Sequence, residues 1–120
     1  MKVLIVDDSL LAEHALRNYF IKLGHDVVGM ARNAKTGKQM YRDLNPDIVT
    51  VDAIMPGESG PEFIAHINQI ESQNGNRSKI IMISSDTISN DVKARIRVDS
   101  YIEKPVTMSK IEDTLRKLRI

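Results

Sequence analysis

Four short apolar runs in the sequence each stop at residues able to handle a phosphoryl group. Val3-Leu4-Ile5-Val6 runs into Asp7-Asp8, and Ile48-Val49-Thr50-Val51 runs into Asp52. Ile80-Ile81-Met82-Ile83 runs into Ser84-Ser85, and Tyr101-Ile102 leads through Glu103 into Lys104-Pro105. A carboxylate can attack phosphorus to form an acyl phosphate, and grouped carboxylates suit a hard cation. A hydroxyl can hydrogen-bond a phosphoryl oxygen, and an ammonium can pair with another. Asp52 is the best nucleophile candidate, with Ser84 and Lys104 as groups for the transferred oxygens. Two like charges about 4 Å apart repel by roughly 4 kcal/mol at an effective dielectric of 20. Bringing Asp7, Asp8 and Asp52 together therefore calls for a cation, and Mg²⁺ prefers oxygen ligands of this kind. Taken singly, these residues have duller readings. One strand-end Asp serves as well as a helix cap, and a lone Ser or Lys-Pro carries nothing. Their shared placement at the ends of apolar runs gives them meaning.

The elements that must position them follow from the pattern between those runs. Apolar runs of this length, separated by helix-like segments, read as parallel strands buried on both faces. Ser9 is an expected N-cap, followed by Leu11, Ala12, Ala15, Leu16, Tyr19, Phe20 and Leu23 at helical spacing, with Gly24 as the stop. Asp26 to Ala31 is the second expected strand, and Asn33 caps a helix to about Leu44. Asp47 to Asp52 is the third strand. Pro56-Gly57-Glu58-Ser59-Gly60 is a loop by composition, and Pro61 opens a helix carrying Phe63, Ile64, Ile67 and Ile70. Ser72 to Ser78 is polar and reads as a surface loop around Gly75. Lys79 to Ser84 is the fourth strand. Ile88, Val92 and Ile96 predict a short fourth helix, Ser100 to Glu103 a last strand, and Thr107 the cap of a final helix with Ile111, Leu115 and Leu118 as its stripe.

Five βα units with short loops predict an α/β, doubly wound, five-stranded parallel sheet. The chain is short for a six-stranded dinucleotide fold, which favours the flavodoxin-like order 2-1-3-4-5. Ligands bind beyond the carboxyl ends of such strands, at the point where strand order reverses. Asp7, Asp8, Asp52 and Ser84 then surround one switch point.

The 120 residues are expected to form one domain, residues 1–120, with a single core. A net charge of +1, with charges spread along the chain, gives no push toward nucleic acid. The absence of cysteine excludes disulfides, thiolate metal sites and thiol nucleophiles. Met1-Lys2 is followed by only four apolar residues before Asp7, so no secretory segment is expected, and no apolar stretch reaches membrane-spanning length. These points predict a cytoplasmic, monomeric protein without membrane partners. Gly37-Lys38 resembles half a P-loop, but Arg32 and Gln39 stand where that loop needs Gly and Ser/Thr. His14, His25 and His66 show no metal spacing.

The chain resembles response-regulator receiver domains over its whole length. The resemblance rests on Val3-Leu4-Ile5-Val6-Asp7-Asp8-Ser9, on Asp47-Ile48-Val49-Thr50-Val51-Asp52 followed by Met55-Pro56 and Gly60, and on Tyr101-Ile102-Glu103-Lys104-Pro105. It implies that Asp52 accepts phosphate from a histidine kinase. It implies that Asp8, Asp52 and the backbone carbonyl of Ile54 ligate Mg²⁺, with Asp7 assisting through water. It makes Ser84 and Lys104 phosphate sensors and Tyr101 an aromatic switch that turns inward. The chain departs from the family pattern at Arg97-Val98, where Gly-Ala is common, at Ser85, where Ala is frequent, and at Val106, where Phe is common. The stretch from Ser84 to Tyr101 is about two residues short, so the fourth helix is expected to be truncated or irregular. Ile54 and Asp86, two residues past Asp52 and Ser84, stand at positions that tune water access in this family.

The leading expectation is a stand-alone phosphorylation switch that is not an enzyme beyond its own phosphorylation and dephosphorylation. Its output is expected through the fourth helix, fifth strand and fifth helix to an effector such as a flagellar motor switch, in chemotaxis. A phosphorelay intermediate serving a histidine phosphotransfer protein is the runner-up, and a receiver domain cut from a longer regulator is a third reading. An Asp-nucleophile phosphatase places its nucleophile after the first strand, usually with a second acid two residues on. Here that residue is Ser9, and the chain has no room for a cap domain. A flavodoxin-like electron carrier is disfavoured by carboxylates where the FMN phosphate would bind. Fold alone decides neither.

Overall fold

The computed structural model describes residues 1–120. Ten elements alternate: β1 (Lys2–Val6), α1 (Leu10–Lys22), β2 (Asp26–Ala31), α2 (Ala34–Leu44), β3 (Ile48–Asp52), α3 (Gly60–Asn74), β4 (Lys79–Ser84), α4 (Asn90–Arg95), β5 (Ser100–Glu103) and α5 (Met108–Lys117). The strands form one parallel sheet in the order β2-β1-β3-β4-β5, as the sequence predicts. Alternate strand residues face opposite sides of a sheet. Val3, Ile5, Ile48, Ile81 and Ile83 therefore meet Leu16 and Phe20 of α1 and Ile111 and Leu115 of α5. Leu4, Val6, Val49, Val51, Ile80 and Met82 meet Tyr41 of α2 and Phe63, Ile64 and Ile67 of α3 on the other face. Because β1, β3 and β4 are covered on both sides, their runs are continuously apolar rather than alternating.

Side-chain caps start the helices at the expected residues. Ser9, Asn33 and Thr107 accept hydrogen bonds from the backbone N–H groups of Ala12, Thr36 and Lys110. Two expectations need correction. The helix expected to begin at Pro61 and give way to loop at Ser72 is α3, which includes Gly60 and continues to Asn74. Gly75, at φ 77°, ends it in the left-handed conformation that glycine adopts without penalty. The polar stretch at 72–74 is a solvated helix end, and polarity alone does not separate that from a loop. The expected stripe of Ile88, Val92 and Ile96 spans more than the helix that forms. α4 has six residues, and Ile88 and Ile96 reach the core from outside it, Ile96 with extended backbone. The truncation expected from the short spacing is therefore present.

Candidate functional site at the carboxyl edge of the sheet

The carboxyl ends of β1, β3, β4 and β5 deliver their polar residues to one concave edge. Backbone pairing sets their depth. Asp7 N–H donates to Ala31 O at 2.9 Å, Ala53 N–H to Ile83 O at 2.9 Å, and Lys104 N–H to Ser84 O at 2.9 Å. The ladder thus runs one step past the strands before the chain turns away. Gly60 completes the framework. An added Cβ there would lie 2.7 Å from Ala53 Cα, so only glycine lets α3 start this close beneath the end of β3.

Asp7, Asp8 and Asp52 each present a carboxylate oxygen, and the three lie within 4.8 Å of one another. Asp7 and Asp52 are buried, at 1% and 4% exposure, while Asp8 faces solvent. Asp7 accepts a hydrogen bond from Ser9 N–H at 2.8 Å. Asp52 accepts from Ile54 N–H at 3.4 Å and from Lys104 Nζ at 3.3 Å. Burial, then the charge of Asp7, push Asp52 up to about 6, against the opposing pull of Lys104 and the Ile54 amide. Burial also raises Asp7, helped by Asp8 and Glu13 and opposed by the Ser9 amide and Lys104. Net upward shifts in spite of an adjacent ammonium mean that the ionised carboxylates are under-compensated. All donors of the cluster are hard oxygens, and the deficit is one of positive charge, so the residues fit a divalent hard cation such as Mg²⁺.

Ser84, 7% exposed, stands at the end of β4, and its hydroxyl oxygen accepts a hydrogen bond from Asp86 N–H at 3.1 Å. Ile54, 66% exposed, projects at the rim immediately beyond Asp52. Tyr101 lies farther out on β5, paired with Met82 rather than inside the acidic cluster. The edge therefore gathers Asp7, Asp8, Asp52 and Lys104 in direct proximity, places Ser84 and Ile54 at the flanking strand end and loop, and leaves Tyr101 at a distance along the surface.

Two supporting residues escaped the sequence reading. Lys110 Nζ donates to Glu103 O at 2.8 Å and Pro105 O at 2.9 Å, tying down the loop that carries Lys104. Its place one turn into α5, after Lys104-Pro105, was the available signal. Glu13, 2% exposed and paired with Arg32 Nε at 3.1 Å, adds a fourth acidic charge near Asp7. Nothing local distinguishes it from a first-turn helix acid.

Comparison with known proteins agrees with this geometry. The family model described as "Response regulator receiver domain" matches residues 3–116. The chain belongs to the response-regulator receiver domain family. It is 33% identical over 119 residues to the chemotaxis protein CheY of Thermotoga maritima, covering 98% of this chain and 96% of that one. It is also 36% identical over 88 residues to protein-glutamate methylesterase/protein-glutamine glutaminase 1 of Dechloromonas aromatica, covering 72% of this chain and 23% of that longer protein. Among solved structures, the CheX–CheY–BeF3–Mg²⁺ complex from Borrelia burgdorferi superposes with a TM-score of 0.88 at 25% identity, over 100% of this chain and 90% of that one. As a receiver domain, the chain is a response-regulator module, and none of its helices is long and apolar enough to cross a membrane.

Proposed function

We propose that this receiver domain is a phosphorylation switch in which Asp52 takes a phosphoryl group from a phosphohistidine of a kinase. The observation that carries this reading is the pairing of a buried, under-compensated carboxylate cluster with Lys104, 3.3 Å from Asp52. A pKa of about 6 leaves Asp52 mostly ionised at pH 7, as a nucleophile must be. One Asp52 oxygen attacks phosphorus, the phosphorus–nitrogen bond breaks, and the ring leaves as neutral imidazole after protonation by water. Lys104 pairs with a phosphoryl oxygen, and Ser84 donates its hydroxyl to another. Asp8, Asp52 and the Ile54 carbonyl would hold Mg²⁺, with Asp7 acting through water. When bound, the ion offsets the charge of the transferred group.

Similarity to CheY of Thermotoga maritima over nearly the full length of both chains supports a chemotaxis regulator that signals by protein binding. Its effector would be a motor-switch type protein, engaged through α4, β5 and α5 in the cytoplasm. Drawing Ser84 toward the phosphoryl group would move the following loop and open room for Tyr101 to turn inward. Such a shift can be no larger than the difference in phosphoryl contacts between the two states.

The test uses acetyl phosphate and Mg²⁺, with intact-mass measurement. One phosphoryl group should add to the parent and none to Asp52→Asn. Undiminished labelling of the variant, mapped to another residue, would refute the assignment.

A further inference from the structure

Tyr101 lines a cavity of about 240 Å³ between α4 and β5, together with Ser84, Thr87, Ile88 and Lys93. The ring is 37% exposed, so at rest it stands outward beside this cavity. Lys93 of α4 lines the same cavity, and its Nζ lies 5.0 Å from the centre of the Tyr101 ring. That is within the range at which a cation is attracted to an aromatic face. Lys93 takes part in none of the ion pairs of the molecule, which occupy Arg32, Lys38, His66, Arg97, Lys104 and Arg116. The ring is therefore the group that orients this ammonium. α4 itself has only six residues, none of them buried, so few contacts fix its position.

We infer that Lys93 is a positioning residue that latches Tyr101 outward in the resting protein. The 5.0 Å contact belongs to the outward ring, and the latch requires that turning inward weakens it. An exposed contact of this kind is worth about a 2- to 5-fold bias in population. Its consequence for signalling rests on the switch proposed above. Ser84 is linked to the Asp86 amide, so movement of Ser84 pulls on the segment leading to α4 and displaces Lys93 from the ring. The resting latch itself needs no phosphoryl group. Phosphorylation thus has two tasks at this end of the molecule, to make room in the cavity and to release the ring.

The test follows Tyr101 in the full chain by NMR with ring-labelled tyrosine, assigned through Tyr101→Phe. The inward state is read from contacts between ring protons and the methyl groups of Thr87 and Ile88. Lys93→Met removes the cation and keeps the length, and Lys93→Arg keeps a cation. Without phosphodonor, Lys93→Met should raise the inward population about 2- to 5-fold, and Lys93→Arg should match the parent. An unchanged ring in Lys93→Met, or equal movement in both variants, would overturn the latch. Acetyl phosphate with Mg²⁺ is then added. A resting shift in Lys93→Met with no response to phosphodonor in any protein would uphold the latch and sink the phosphorylation reading instead.

Discussion

The two ends of this sheet both bury carboxylates, and they treat them in opposite ways. At the amino edge, Glu71 and Asp99 flank Arg97. Arg97 donates to Glu71 Oε1 at 2.7 Å and to Asp99 Oδ2 at 2.6 Å, while Ser78 N–H serves Glu71 Oε2 at 2.7 Å and Ile80 N–H serves Asp99 at 2.8 Å. Asn68 adds a two-way link to the Arg97 backbone, 2.8 Å to its N–H and 3.3 Å to its carbonyl. Burial works against the Arg97 cation, yet the hydrogen bond and charge of Asp99, then those of Glu71, outweigh it and raise its pKa. At the carboxyl edge three carboxylates share one lysine, and both buried acids are shifted toward the neutral form. Satisfaction at one edge locks structure, and the deficit at the other leaves free energy for a ligand to recover. Arg97 belongs to the locking edge.

The strongest test of this contrast removes Arg97. Arg97→Met leaves the charge of Glu71, which is 7% exposed, without its cation, and breaking such a pair costs about 3 kcal/mol. Urea unfolding of the metal-free protein should show that loss, with the midpoint lowered and the slope kept. A variant as stable as the parent would mean that the amino edge is not locked by its charges.

The complementary substitution should have the opposite sign. Asp52 has its pKa raised from 3.8 to about 6 on folding, so the native state binds more protons than the unfolded chain between these values. Stability from this group therefore falls as pH rises from about 4 to 6 and stays low above that range. Asp52→Asn should flatten this segment of the metal-free stability profile and raise stability at pH 7 by about 1–2 kcal/mol, given about 1.4 kcal/mol per unit and the shared response of Asp7. Loss of the Lys104 contact works against the gain, so a variant less stable than the parent at pH 7 would show that Lys104 already neutralises the cluster.

The contrast between the edges also marks what the sequence could carry. The acidic edge is legible because strands hold their residues in order. Val6-Asp7-Asp8 and Val51-Asp52 place the acids at strand ends once a parallel sheet is recognised. Lys104 and Ser84 follow from the same reasoning on β5 and β4. The amino edge is not legible, because Arg97 finds Asn68 and Glu71 across 29 and 26 residues of chain. Arg97-Val98 reads in the sequence only as a departure from a family pattern. The end of α3 is not legible for a related reason. Polar residues at 72–74 signal exposure, while Glu71 holds the same turn from beneath through Ser78 and Arg97. The spacing of Ile88 and Ile96 suggests helix, but residues on either side of a short helix can reach the same core.

Adding Mg²⁺ should move only the acidic edge. Binding stabilises by RT ln(1 + [L]/Kd), about 1.4 kcal/mol at tenfold excess over Kd. Thermal unfolding of the parent with and without MgCl2, at matched ionic strength, should show this gain, and Arg97→Met should show it too. The effects add because the two edges share no contacts. A gain lost in Arg97→Met would mean that the edges are coupled through the sheet.

The smallest expected effect comes from Asp8. It faces solvent, so its repulsion of Asp7 and Asp52 is screened by water and salt. Asp8→Asn removes one like charge from a cluster whose oxygens lie within 4.8 Å of one another. Metal-free stability should rise by a few tenths of a kcal/mol at low salt, with the gain shrinking in 1 M NaCl as the Debye length falls to about 3 Å. The Mg²⁺-induced gain should shrink at the same time, because the change takes a proposed ligand from the ion as well as a charge from the cluster. Measuring all four conditions, with and without Mg²⁺ at low and high salt, separates the two roles. A metal-free variant less stable than the parent at low salt would contradict the repulsion account, and an unchanged Mg²⁺ response would remove Asp8 from the proposed ligands.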